Sequence, residues 1–388
     1  MAIPITRRGF LEKSGAIFAA ASASKSPAAT SQKPGDFMIV EGHRDIWEQN
    51  DRFKLRDRKQ HAPMRDFIAP RLIEGGVSVV IMPAGGDSVD ERAGSDRLFE
   101  GSMQVLDMLL VDIEKTNGKV SIIRTKADVP AKPNQGKVQV FLDLEGGGSI
   151  QVDPEPGYHR DRRLALLRQF YRLGVRGMQL THNGRNMLGQ GIEEGKMGTR
   201  LSAFGVEVIQ EMNRLGMMVG VSHLSANGVL HAAEISKHPI VSTHQNINPF
   251  LKTPLELTEA EIKAIAATGG IVGIRYIVNV TPYKLLVDEV EYLAKAIGVE
   301  HIGIGWLGHD KGHPAPGFVP GVSKGREFTG VEAQSIYEHW DTFIKMLSER
   351  GFTDEQINLI VGGNYVRLWK QILPDEAPSC MPASTKTA

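Results

Sequence analysis

The sequence predicts an α/β fold, a single (β/α)8 TIM barrel over residues 36–374, on three observations. Short runs of β-branched and apolar residues recur eight times. Stretches of amphipathic helical periodicity separate them. Side chains able to bind metal stand where several of the runs end.

The predicted strands are Met38–His43, Val77–Pro83, Val138–Glu145, Gly177–His182, Met218–His223, Ile240–His244, Ile271–Tyr276 and His301–Trp306. Near-continuous apolar runs of this length, about four to eight residues, suit strands buried on both faces of a parallel sheet. Predicted helices include Arg160–Leu173, Ala203–Leu215 and Thr258–Ala267. The last opens on Thr258, Glu259, Ala260 and Glu261, a capping box in which the threonine and the second glutamate satisfy each other's amides. Gly174, Gly216 and Gly269 follow these helices as C-terminal stops. Alternating strands and helices imply a parallel sheet, and eight units imply closure. An open doubly wound sheet is the competing architecture. No glycine-rich dinucleotide fingerprint follows the first strand, which ends in Glu41, Gly42 and His43.

Residues 1–30 read as a leader outside the fold. Thr6-Arg7-Arg8-Gly9-Phe10-Leu11-Glu12-Lys13 resembles the twin-arginine export motif, and a mild apolar stretch with small residues follows it. The expectation is a periplasmic protein, carried across the membrane by the twin-arginine export machinery. Residues 375–388, rich in Pro, Ser, Thr and Ala, are expected to be a disordered tail.

Lys plus Arg and Asp plus Glu balance at 45 each, so charge gives no reason to expect nucleic acid as a partner. A single cysteine, Cys380, excludes an intrachain disulfide and a thiolate metal site. Any metal must therefore sit on histidine and carboxylate. Candidates stand at the strand ends: His43 and Asp45, then Glu145, His182, His223 and His244. In a barrel these ends face one mouth, where active sites form. Residues two apart on an extended strand point to the same side, so His43 and Asp45 can converge on one ion. Imidazole suits zinc at about 2.0–2.1 Å, and a carboxylate can bridge two cations. Two zinc ions, roughly 3.5–4 Å apart, would share Glu145 and a bridging hydroxide, a nucleophile that needs no serine or cysteine.

Several stretches are similar to the membrane dipeptidase (renal dipeptidase) family. They include Glu41–Asp45, Leu144–Ile150, Leu173–Asn183, Leu201–Gly216, Val221–Ser225, Ser242–Asn246, Gly269–Ile274 and Gly362–Trp369, in the same order along the mature chain. The resemblance implies a two-zinc barrel hydrolase that cleaves dipeptides. It implies that His43, Asp45 and Glu145 hold one zinc, and that Glu145 bridges to a second held by His223 and His244. His182 would contact the substrate and help stabilise the tetrahedral intermediate.

The chain departs from the family twice. Leu255 stands where the family carries an arginine that grips the substrate carboxylate, and nearby Lys252 could replace only the charge. Leu307 stands where the family carries an aspartate for proton transfer, leaving Asp310 or His309 as the candidate acid. Trp306 and Leu307 would favour an apolar group at the mouth. Arg185 could reach a substrate anion or serve a structural ion pair. The expected substrate is a small molecule, either a dipeptide or an acyl-amide, lactam or lactone needing fewer charge clamps. A non-catalytic ligand-binding relative is the third alternative. The oligomeric state stays open, with a homodimer allowed.

Overall fold

The computed structural model describes residues 32–44, 62, 64–87, 98–133, 136–151, 164–195, 198–247, 250, 256–275, 283–305 and 340–376. Among them nine strands share one parallel sheet. They are β1 (Ile39–Glu41), β2 (Val77–Gly86), β3 (Val120–Ile122), β4 (Val138–Glu145), β5 (Gly177–Gln179), β6 (Met218–Gly220), β7 (Ile240–Gln245), β8 (Ile271–Ile274) and β9 (Ile302–Ile304). Eight follow the order β1-β2-β4-β5-β6-β7-β8-β9. The two ends of that row meet. The Gly42 amide donates to the Ile304 carbonyl at 2.9 Å, and the His43 amide donates to the Gly305 carbonyl at 3.1 Å. An open sheet keeps two free edges, so these bonds decide for the barrel.

All eight predicted runs contain strands, and those leading to His182 and His223 leave strand geometry early, at Gln179 and Gly220. β3 is an addition. It pairs with the first half of β4, Val120 beside Val138, off the barrel path. Three residues are too few to show a periodicity, which is why the sequence pattern does not betray it.

The helices form where their caps predict. Helix Ala203–Leu215 starts at Ser202, whose hydroxyl accepts from the Gly205 amide at 3.0 Å, and stops at Gly216 in the left-handed conformation, φ 72°. Helix Glu259–Ala267 carries the predicted capping box. The Thr258 amide donates to Glu261 Oε2 at 2.8 Å, and the Glu261 amide donates to Thr258 Oγ1 at 3.4 Å. Helix Ala165–Arg172 keeps the apolar face of its prediction, while residues 160–163 lie outside the described residues.

Alternation along the strands divides the core into two layers. Ile39, Val80, Met82, Leu142, Leu144 and Val219 face outwards and pack under the helices. Val40, Val79, Ile81, Phe141, Met218, Val241 and Ile271 face the lumen. Helix Asn364–Ile372 stops the N-terminal end of the barrel with Tyr365, Leu368 and Trp369, the last stacked on Phe141 at 4.6 Å between ring centres. Room for the Tyr365 ring comes from Gly273 and Gly303, where a Cβ would stand 2.7 and 2.6 Å from its atoms. One end of the lumen is thus packed shut, and chemistry is left to the C-terminal mouth.

Candidate metal centre

Four of the predicted ligands, His43, Glu145, His223 and His244, meet at that mouth with His182, the residue expected to contact the substrate. His43 follows β1, tied down by its own closing bond to Gly305 and by the Arg44 amide, which donates to the Ile81 carbonyl at 2.9 Å. Glu145 ends β4, in register with Gly86 on one side and Gln179 on the other. His182 and His223 lie just beyond β5 and β6, and His244 lies within β7. All five are buried, and the most accessible, His182, is 8% exposed. His223 has φ +63°, a left-handed conformation uncommon for a residue with a Cβ. Its carbonyl accepts the Ile192 amide at 2.9 Å and the Thr181 hydroxyl at 3.2 Å, contacts that hold this turn in place.

The centre of the cluster is Glu145 Oε1. The Nε2 atoms of His43, His223, His244 and His182 lie 3.5, 3.6, 3.7 and 3.9 Å from it. These distances exceed a hydrogen bond, roughly 2.7–3.2 Å for this pair of atoms. The rings crowd: His43 stacks on His244 with 3.8 Å between centres, where closure brings the C-terminal ends of β1 and β7 to one mouth. Two three-residue groups have the spacing to hold an ion, His43, Glu145 and His244, and Glu145, His182 and His223. Glu145 is common to both. The histidines divide between the groups differently from the partition that the family resemblance implies.

The donor set fits a divalent cation. His223 Nδ1 lies 2.7 Å from Asn183 Oδ1 and donates to it, so the Nε2 lone pair points into the cluster. His244 Nε2 is 2.9 Å from His223 Nε2. Burial, followed by the neighbouring His43 and His223, pushes the His244 pKa well below the usual imidazole range, which keeps the ring a neutral ligand. Glu145 Oε2 is buried with no hydrogen-bond partner among the described residues. Two ligand atoms each about 2.0–2.2 Å from one ion at a tetrahedral angle stand roughly 3.3–3.6 Å apart, close to the spacing found here.

Polar residues that the strand-end pattern does not single out surround these five. Asp87, just after β2, accepts from the Gly148 amide, from the His182 amide at 3.2 Å and from Asn186 Nδ2 at 2.8 Å. It thereby joins the loops after β4 and β5, and burial raises its pKa. Asp143, two residues before Glu145 on β4, is fully buried, and burial pushes its pKa up to about 7. Gln179 and Thr243 lie beside it. The sequence carries a signal for one of these, since Asp143 shares the face of Glu145 by the alternation rule.

Arg185 is exposed and occupied. Its Nε lies 2.9 Å from Glu194 Oε2, and its amide donates to Glu194 Oε1 at 3.1 Å, the ion-pair alternative of the two open for it. Asp45, Lys252, Leu255, Trp306, Leu307, His309 and Asp310 lie outside the described residues, as do residues 1–31 and 377–388.

Comparison with known proteins identifies the family. The family model for membrane dipeptidases, peptidase family M19, matches residues 34–377. The dipeptidase verJ of Clonostachys rogersoniana is 26% identical over 363 residues, covering 87% of this chain and 84% of its own. A crystal structure of an amidohydrolase from Pseudomonas aeruginosa shares the fold with a TM-score of 0.69 at 20% identity, over 88% of this chain and 99% of that one. A metallopeptidase from Rhodobacter sphaeroides, liganded with a phosphinate mimic of L-Ala-D-Ala, superposes with a TM-score of 0.67 at 18% identity, over 87% and 99%. With the match running from before β1 to beyond the last helix, and a histidine and carboxylate cluster at the barrel mouth, this chain belongs to the membrane dipeptidase family and is a metal-dependent hydrolase.

Proposed function

We propose that the protein is an exported dipeptidase-type hydrolase that opens an amide bond of a small, dipeptide-sized substrate at two zinc ions. The observation that carries this reading is the convergence of four imidazole nitrogens on one carboxylate oxygen, Glu145 Oε1. Glu145 would be shared between the ions, with His223 and His244, whose Nε2 atoms lie 2.9 Å apart, and His43 with Asp45 as the remaining ligands. When bound, such ions supply Lewis acidity and a water acidified to a pKa of about 7.

The chain's own residues position and protonate. His182, at the rim of the cluster and anchored through its amide to Asp87, hydrogen-bonds the substrate oxygen as charge develops on it. Asp310 or His309 protonates the leaving nitrogen. The names of the relatives support a dipeptide-sized substrate, one being a dipeptidase and another having been solved with a dipeptide mimic. A second reading, hydrolysis of an acyl-amide, lactam or lactone on the same scaffold, is favoured by Leu255 and Leu307 in place of charged residues. Lys252, three residues before Leu255 in sequence, is then the cation proposed to supply the charge, since Arg185 is held by Glu194.

Stripping the purified protein with a chelator and reloading it with zinc tests the reading. Hydrolysis should disappear and return as close to two equivalents bind per chain. Elemental analysis without a transition metal, together with no hydrolysis regained on adding one, overturns it. Export is tested separately. Changing Arg7 and Arg8 together to lysine should leave the precursor in the cytoplasm, and an unchanged periplasmic yield would sink the twin-arginine assignment.

A further inference from the structure

Directly beneath the metal centre the lumen is polar, where a barrel interior is ordinarily filled by branched aliphatic side chains. Asp143 on β4, Gln179 on β5, Ser222 after β6, and Ser242 and Thr243 on β7 are all fully buried. Gln179 sits at their centre. Its Oε1 accepts the Ser222 amide at 3.1 Å, which fixes the orientation of the side-chain amide. Its Nε2 then donates both hydrogens, to Asp143 Oδ2 at 2.9 Å and to Thr243 Oγ1 at 3.0 Å. Thr243 Oγ1 lies 2.8 Å from Nδ1 of His244. The strands make room for this layer. A Cβ on Gly177 would stand 2.5 Å from Asp143 Oδ1, and one on Gly220 would stand 2.5 Å from Gln179 Oε1.

The hydroxyls anchor the backbone beneath the ligand. A hydroxyl has one hydrogen and two lone pairs. Ser242 donates to Gln245 Oε1 at 3.0 Å, an oxygen that can only accept. Ser242 therefore accepts from Ser222 at 3.4 Å, and the Ser222 oxygen accepts the Thr243 amide at 2.8 Å and the His244 amide at 3.3 Å. Thr243 Oγ1, with one lone pair taken by Gln179, keeps Nδ1 of His244 as its partner.

We propose that Asp143, Gln179 and Thr243 form a buried positioning relay that holds the ring of His244 in the orientation required of a metal ligand. The proposal rests on the reading of His244 as a ligand. None of the three touches the substrate. A buried carboxylate is weak as a stabilising device, because well-packed apolar groups of the same volume do as well or better. Its presence under the ligand is accounted for by what it orients. A partner on the second nitrogen of a ligating histidine fixes the ring and its basicity, and removing such a partner typically weakens metal binding about 10–100-fold.

The test compares Thr243→Val, nearly isosteric but without a hydroxyl, with Thr243→Ser, which restores it, and with Gln179→Leu. Zinc affinity is measured on the full chain by competition with a chromophoric chelator, beside thermal unfolding of the metal-free protein. T243V and Q179L should weaken zinc roughly 10–100-fold, with T243S close to the unmodified protein. Affinity in T243V equal to that of the unmodified protein overturns the relay, as does a loss in T243S as large as in T243V. Should Q179L fail to fold, the Val and Ser pair decides alone. If the unmodified protein takes up no zinc, the assignment of the centre itself fails, an outcome distinct from a metal-binding protein indifferent to Thr243.

Discussion

Glu145→Ala should strip the protein of both ions and reduce kcat/KM by at least about 10⁴-fold, because the substitution removes the ligand shared by the two groups of the cluster. Four buried imidazoles would remain around a position left without its negative charge. The charge of any cation bound among them would then be uncompensated in a site almost closed to water. His182→Ala is the informative contrast. In the proposed mechanism it contacts the substrate oxygen and is not a ligand, so metal content should stay near that of the unmodified protein. The rate should fall roughly 10²–10³-fold, the usual loss for one donor to a developing oxyanion. Elemental analysis of the two variants separates the roles. Because His182 and His223 form one of the two possible ion-holding groups with Glu145, loss of metal from His182→Ala would assign His182 to the ligand set instead.

Strand existence is the part of this fold most legible in the sequence, and the reason is physical. A strand buried on both faces must be apolar almost throughout, so β2 and β4 stand out against their amphipathic surroundings. Closure was legible only as an inference from the number of units, since the bonds from Gly42 and His43 to β9 join residues more than 260 positions apart. The cluster was legible because several histidines and a carboxylate end apolar runs at the same relative position, and the barrel brings all such ends together. Which histidine shares an ion with which was not. His43 and His244 stack only because closure brings the C-terminal ends of β1 and β7 to one mouth, a relation with no trace in local spacing. Gln179 was hidden for another reason. A single polar residue inside an apolar strand reads equally as an outward-facing position, and only closure turns it inwards. Arg185 shows the limit from the other side, for its partner Glu194 lies nine residues on, across an irregular loop with no period to predict the pairing.

Substrate preference is where this chain should diverge most from its family, and Leu255 is the residue on which the expectation rests. A pocket built to pair a carboxylate discriminates strongly, because a ligand lacking the charge leaves the pocket's own buried polar group unpaired. Replacing arginine by leucine removes that penalty and puts an apolar wall in its place. Each charge-assisted bond to such a group contributes about 1.5–3 kcal/mol, so a two-bond clamp corresponds to a few orders of magnitude in kcat/KM. Leu307 acts in the same direction, since an apolar side chain cannot receive the ammonium of a free dipeptide. The expected result is that free dipeptides are cleaved poorly relative to C-terminally amidated, N-acylated or cyclic analogues. Leu255→Arg should shift the ratio of kcat/KM towards free dipeptides by about 10- to 100-fold, less than the full clamp because a guanidinium introduced alone is not pre-aimed at the carboxylate. The measurement is kcat/KM over a panel of matched free and blocked substrates for both proteins. Efficient cleavage of ordinary dipeptides by the unmodified enzyme would refute the expectation and assign the carboxylate to another cation, with Lys252, three residues away in sequence, the first to replace by alanine.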